Sequence, residues 1–156
     1  QPSRSRTTDM SLDVSPIIPL ISQGALPPPG DDVRRHGFDV LVLAAQEYQP
    51  PANMFPGVHV LYSPMDDAEL SSDEWRQVVN TSRKVARHVR AGRRVLITCQ
   101  AGLNRSGIHT AVVMHLLTGQ AGSTIIRHIR ARRTDALFNR SFVRRLEQLR
   151  TTALTP

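Results

Sequence analysis

The sequence predicts one α/β domain, and three observations carry that prediction. Strand-like apolar runs alternate with helical stretches over the first two thirds of the chain, the last third reads as helix throughout, and no internal repeat or second linker divides the 156 residues. The length suits a single domain, and a hydrophobic content of 40% is enough for one sizeable core. A charged fraction of 21% sets the chain apart from disordered polyelectrolytes and fibrous repeats. No apolar run approaches the ~18–20 residues that a membrane span needs. The lone cysteine, Cys99, excludes an intramolecular disulfide and a Cys-rich zinc module, so a reducing, cytoplasmic setting is expected.

Taken in order, residues 1–15 are polar and aperiodic, which predicts a mobile tail ahead of a single domain over residues 16–151. Residues 16–21 form a short apolar run, read as the first strand. Residues 25–30 contain three consecutive prolines and read as a loop. Asp31 and Asp32 open a short helix that stops at Gly37. Residues 38–44 (FDVLVLA) and 58–62 (VHVLY) have strand character, with a Pro-punctuated connection between them. An acidic loop over 63–70 leads to an amphipathic helix with Trp75, Val78, Val79, Val85 and Val89 on one side, a Ser71/Glu74 capping box at its start and Gly92 at its stop. Residues 94–98 (RVLIT) read as a strand buried between two layers. Residues 106–118 are apolar on nearly every side, as a central buried helix should be, and Gly119 ends them. Ser123 reads as the cap of the next helix. Asn139 reads as the cap of the last, whose inner face is Phe142, Val143, Leu146 and Leu149.

The charge is unevenly placed. Residues 1–82 carry 5 Arg and 11 acidic side chains, net −6, whereas residues 83–156 carry 14 Arg and Lys84 against Asp135 and Glu147, net +13. A basic half suits a phosphorylated or polyanionic partner, although solvated helix faces would look the same. The Arg127, Arg130, Arg132 and Arg133 set reads either as such a face or as an acidic-docking surface. His36, His59, His88, His109, His115 and His128 show no metal-ligand spacing and read as surface or packing residues, as Tyr48 and Trp75 read as core or edge.

The chemistry lies in Thr98-Cys99-Gln100-Ala101-Gly102-Leu103-Asn104-Arg105-Ser106-Gly107. A loop between a strand end and a helix start turns several backbone N–H groups toward one point. With the helix dipole behind them, they make a nest for a tetrahedral oxyanion. Gln100, Ala101, Gly102, Leu103, Asn104 and Arg105 are the candidate phosphate-binding residues, and Gly102 allows the sharp turn. A cysteine at the floor of such a nest is favoured as thiolate, its nucleophilic form. Arg105 can grip two phosphoryl oxygens through its planar fork, and the Ser106 hydroxyl can steady the sulfur as it leaves.

This segment resembles the Cys-x5-Arg-Ser/Thr loop of the cysteine-dependent phosphatases, specifically the compact dual-specificity protein phosphatases, and the resemblance extends over about residues 16–149. It implies a central mixed sheet of about four to five strands with helices on both faces. It also implies a cysteinyl-phosphate intermediate, no metal and no cofactor. A general acid on a loop about thirty residues before the cysteine is implied as well. The Pro-x-x-Asp pattern places that acid on Asp67, with Asp66 as the alternative. Thr98 departs from the family, which usually has His before the cysteine; a hydroxyl can replace some of that ring's hydrogen bonds. The expected activity is a phosphomonoesterase on phosphotyrosine and possibly phosphoserine or phosphothreonine, acting as a monomer on a phosphorylated protein or other anionic phosphate. Asn104-Arg105-Ser106-Gly107 is also similar to the Asn-Arg-Thr-Gly of RNA 5′-triphosphatases, so that activity, or a phosphoinositide phosphatase, is the alternative. Aromatic residues at 4% disfavour nucleic-acid reading. A catalytically weak phosphate-binding module is the remaining possibility.

Overall fold

The computed structural model describes residues 12–153. Its strands are β1 (Val14–Ile18), β2 (Ile21–Gly24), β3 (Val40–Ala45), β4 (His59–Met65) and β5 (Val95–Thr98). Its helices are α1 (Asp32–Arg35), α2 (Ser72–Arg90), α3 (Arg105–Thr118), α4 (Gly122–Arg132) and α5 (Arg140–Glu147), with a 3₁₀ turn at Ala52–Met54. β3 and β5 are apolar on both pleats, so both of their faces need cover and they take the inner positions of the sheet. The order is β1-β2-β5-β3-β4. β1 pairs antiparallel with β2, and all other neighbours are parallel, which makes the sheet mixed as expected.

Alternate residues along the inner strands go to opposite layers. Val40, Val42, Val95 and Ile97 pack with Val85 of α2 and Val113 of α3. Leu41, Leu43 and Leu96 pack with Val33 of α1, Phe38 and Phe55. Helices therefore cover both faces, but unequally: one face has only the four residues of α1 plus loop, while the other has α2 and α3. Beyond these, α4 and α5 contribute Ile125, Ile129, Phe142 and Leu146 to a third cluster with Ile108 and Val112 of α3. Wedged between neighbours, α3 is buried at every residue from Arg105 to Met114, and this rigid element starts at the end of the cysteine loop.

The capping signals at two helices act as the sequence suggests. Ser71 Oγ accepts from Glu74 N at 3.0 Å and Glu74 Oε1 from Ser71 N at 3.0 Å. Asn139 accepts from Phe142 N at 3.1 Å. Other expectations need correction. The apolar run 16–21 is a hairpin rather than one strand: Pro19 offers no ladder donor, Leu20 turns back at φ 73°, and the chain re-enters the sheet as β2. Of the residues expected within the tail, Leu12 and Asp13 lead directly into β1 and Val14 and Ser15 are its first two residues; residues 1–11 lie outside the described part. β4 runs on to Met65 through Pro64, which an edge strand tolerates. Ser123 does not cap α4. That helix starts at Gly122, whose N–H donates to Leu149 O at 2.9 Å, so close approach to the end of α5 sets its origin.

A Cβ on Gly122 would fall 1.8 Å from Leu146 O. Gly122→Ala is therefore expected to lower stability by about 3 kcal/mol. A urea midpoint equal to wild type at equal slope would show that α4 and α5 do not need this contact.

Candidate active site

Cys99 follows β5 directly and Arg105 opens α3, so the five residues between them connect a buried strand to a buried helix. The conformation of this loop is set from behind. Gln100 O accepts from Leu26 N at 3.1 Å, and Leu103 O accepts from Leu137 N at 3.1 Å. Ala101 O accepts from Arg133 Nη2 at 3.2 Å. Gly102 O accepts twice, from Gln23 Nε2 at 2.9 Å and Arg133 Nε at 2.7 Å. Because each peptide is planar, a carbonyl turned outward places the next N–H inward. Among the described residues, none of the N–H groups from Gln100 to Arg105 has a protein partner. A cavity of about 220 Å³ lies here, walled by Cys99, Gln100, Ala101, Leu103, Asn104 and Arg105 together with Asp67 and Phe138. Gly102 is not at its wall. At φ 74°, its Cα lies so close to the end of β2 that a Cβ would fall 2.4 Å from Gly24 C, so only glycine fits there.

Cys99 is 4% exposed and its Sγ lies 3.3 Å from Ser106 Oγ, within reach of a hydroxyl donating to a thiolate. Arg105 is aimed by Glu47, at 2.6 Å from Nη1 to Oε1 and 2.8 Å from Nη2 to Oε2, with Nη1 also donating to Met65 O at 3.1 Å. Its Nε is buried without a partner. The Arg105 guanidinium holds Glu47 down at a pKa of about 2, so this pair persists through the ordinary pH range. Glu47 follows the end of β3, the parallel neighbour of β5, where strand ends gather site residues.

The adjacent aspartates are placed differently. Asp67 Oδ2 accepts from Asn104 Nδ2 at 3.0 Å and Oδ1 from Asn139 Nδ2 at 2.8 Å, at the cavity wall. Asp66 does not line the cavity; its Oδ1 accepts from Asp67 N at 2.9 Å. Beneath α3, the imidazole of His109 is fully buried. Its Nδ1 donates to Arg105 O at 2.6 Å, which leaves Nε2 to accept from the Ser63 hydroxyl at 2.7 Å. Ser63 in turn accepts from Thr81 Oγ1 at 3.1 Å and Gln77 Nε2 at 3.3 Å. Burial pushes His109 down to a pKa of about 4.

The predicted residues Cys99, Arg105 and Asp67 therefore meet at one cavity wall, and Ser106 lies buried behind it against Cys99 Sγ. Thr98 takes no part in holding the loop, because its Oγ1 donates to Val42 O at 2.7 Å. Gln23 and Arg133 provide that support. The basic set around α4 is not one docking face: Arg133 is bonded behind the loop, paired with Asp13 at 3.0 Å, and Arg130 Nη2 donates to Leu137 O at 2.6 Å. Only Arg127 and Arg132 of that set remain on the exposed surface without such a task. No group of three or more His, Cys, Asp or Glu placed to hold a metal occurs among the described residues, and no described helix is long and apolar enough to cross a membrane.

No family model and no curated protein matches the sequence. Solved structures do match in fold. Tk-PTP in its active form aligns at TM-score 0.73 and 22% identity, over 87% of this chain and 97% of its own. Human DUSP28 aligns at TM-score 0.72 and 20% identity, over 86% of this chain and 93% of its own. PTPMT1 in complex with PI(5)P aligns at TM-score 0.69 and 17% identity, over 85% of this chain and 91% of its own. The chain has the α/β fold of these solved structures.

Two outcomes follow from the supports. Arg133→Met is expected to weaken vanadate binding about 10-fold, a loss of roughly 1.4 kcal/mol, while Arg132→Met, at an exposed position, binds as wild type; equal affinities would refute the role of Arg133. His109 stays neutral in the fold down to about pH 4 but protonates near 6.5 when unfolded. The unfolded chain thus binds more protons between these values. His109 should therefore cost stability as pH drops from 6.5 to 4, by about 3 kcal/mol, and below about 4.5 the fall continues as the Glu47 carboxylate, held down at a pKa of about 2, protonates. In thermal melts, His109→Gln should remove the slope between pH 6.5 and about 4.5; an unchanged slope would place it on another group.

Proposed function

We propose that this chain is a phosphomonoesterase acting on phosphotyrosine, with phosphoserine and phosphothreonine as further substrates, through a cysteinyl-phosphate intermediate. The observation that carries the reading is the presence of Cys99, Arg105 and Asp67 at one cavity wall with loop residues whose N–H groups have no protein partner among the described residues. In the first step the Cys99 thiolate attacks phosphorus. A P–S bond forms as the ester P–O bond breaks, and Asp67 gives its proton to the leaving oxygen. Such proton transfer is worth ~10²–10⁴-fold. In the second step water attacks phosphorus, its proton passes to the Asp67 carboxylate, and the P–S bond breaks to return the thiolate, which Ser106 stabilises. The loop N–H groups and Arg105 bear the charge on the equatorial oxygens in both transition states. No metal or cofactor takes part, and the lone thiol requires a reducing compartment.

The cavity wall favours a substrate with one phosphate. Arg105 is the cation among its lining residues, whereas Arg130 and Arg133 are taken up by loop carbonyls. Among the described residues, the further phosphates of an RNA 5′-triphosphate or a phosphoinositide would find no second arginine at that wall. Asp67, well placed for a proton transfer that a mere phosphate-binding module would not need, supports an enzyme.

The test is para-nitrophenyl phosphate hydrolysis with a chelator present. Wild type should turn over, Cys99→Ser should be inactive, and Asp67→Asn should lose about 10²-fold in kcat while Asp66→Asn stays within about 2-fold. Tight vanadate binding without turnover by wild type would instead support the binding module.

A further inference from the structure

Residues 66–69 are all exposed, so no apolar burial holds the segment that carries Asp67. Hydrogen bonds must set its carboxylate, and they form a closed triangle. Asn104 Nδ2 donates to Asp67 Oδ2 at 3.0 Å, Asn139 Nδ2 donates to Asp67 Oδ1 at 2.8 Å, and Asn139 N donates to Asn104 Oδ1 at 2.9 Å. Neither amide can turn over. Asn104 Oδ1 also accepts from Phe138 N at 2.9 Å, and Asn139 Oδ1 accepts from Phe142 N at 3.1 Å. Reversing either amide would set an NH₂ group against backbone donors and leave them unpaired, a cost that is greatest at the buried Asn104.

We propose that Asn104 and Asn139 are positioning residues that clamp Asp67 in register with the phosphate loop, so that proton transfer depends on both. This inference rests on the assignment of Asp67 as the acid. Asn104 is 2% exposed and stands one residue before Arg105, so it moves only with the loop. Asn139 anchors the clamp at the start of α5 and also donates to Ala68 O at 3.0 Å. Leu70 N donates to Ser141 Oγ at 2.9 Å, fastening the far end of the segment to the same helix. The position of the acid relative to the nucleophile is thereby set by three elements at once: the loop, the acid segment and α5.

A disrupted clamp should hurt slow leaving groups most, because a good leaving group departs with little need of a proton. The experiment compares kcat/KM, which reports the leaving-group step and not the later hydrolysis common to both esters, on phenyl phosphate and 2,4-dinitrophenyl phosphate for wild type, Cys99→Ser, Asp67→Asn, Asn139→Ser, Asn104→Ala and the Asp67→Asn/Asn139→Ser double variant. Serine keeps the helix cap at 139 but cannot reach Asp67. Asn139→Ser and Asn104→Ala are expected to lose about 10-fold or more on phenyl phosphate and several-fold less on the dinitrophenyl ester. In the double variant, Asn139→Ser should add nothing to the loss from Asp67→Asn. Losses equal on both esters, or additive in the double variant, would overturn the clamp while leaving the phosphatase reading intact. An active wild type whose Asp67→Asn variant shows no leaving-group dependence removes both the acid and its clamp. Turnover surviving in Cys99→Ser would instead strike at the proposed function.

Discussion

The Arg133 guanidinium, buried behind the cysteine loop, decides which way that loop faces, and the rest of the site depends on this. It donates to the Ala101 and Gly102 carbonyls and to both oxygens of Asp13. A charge at 8% exposure is costly to bury unless its donors are satisfied. Here they are, by a carboxylate just before β1 and by carbonyls that would otherwise compete with an oxyanion for the interior of the loop. Gln23 from β2 adds a second donor to Gly102 O. For the proposed function the consequence is electrostatic preorganisation: the loop carbonyls are already held from behind, so little reorganisation would be needed when charge develops.

A second support acts on the cation in front. Glu47 takes both Nη groups of Arg105 in a fork, which fixes the guanidinium plane and leaves the buried Nε unpartnered. His109, one turn along α3, bonds the Arg105 carbonyl and ties the helix start to Ser63 of β4. The basic half of the chain thus has internal uses for several of its arginines. Arg105, Arg130 and Arg133 serve the loop and its surroundings, while Arg83, Arg87, Arg90 and Arg144 are among those that stay exposed.

The parts legible in the sequence were those that depend on local chain order. Cys99, Arg105 and Ser106 sit on one strand–loop–helix passage, and the capping box at Ser71 and Glu74 is complete within four residues. The apolar runs at β3 and β5 announced their own burial. Parts that depend on distant contacts were not legible. Gln23 lies in a strand whose ISQG sequence carries no apolar pattern, and it meets Gly102 across 79 positions. Arg133 looks like any exposed helix-end arginine until Asp13 arrives from 120 positions away. The Pro-x-x-Asp pattern favoured Asp67 and kept Asp66 as the alternative; in space, the asparagines at 104 and 139 bond Asp67 and not Asp66. Glu47 and His109 had weak signals, a carboxylate just after a strand end and a histidine on an otherwise buried helix, that a reading of topology could have weighed.

The most direct test of the account is covalent trapping. The protein is mixed with excess aryl phosphate, quenched in acid during turnover, digested and examined by mass spectrometry. The account predicts phosphate on the peptide that contains Cys99, absent from Cys99→Ser. Turnover with no phosphate on Cys99, or with phosphate on another side chain, would contradict it.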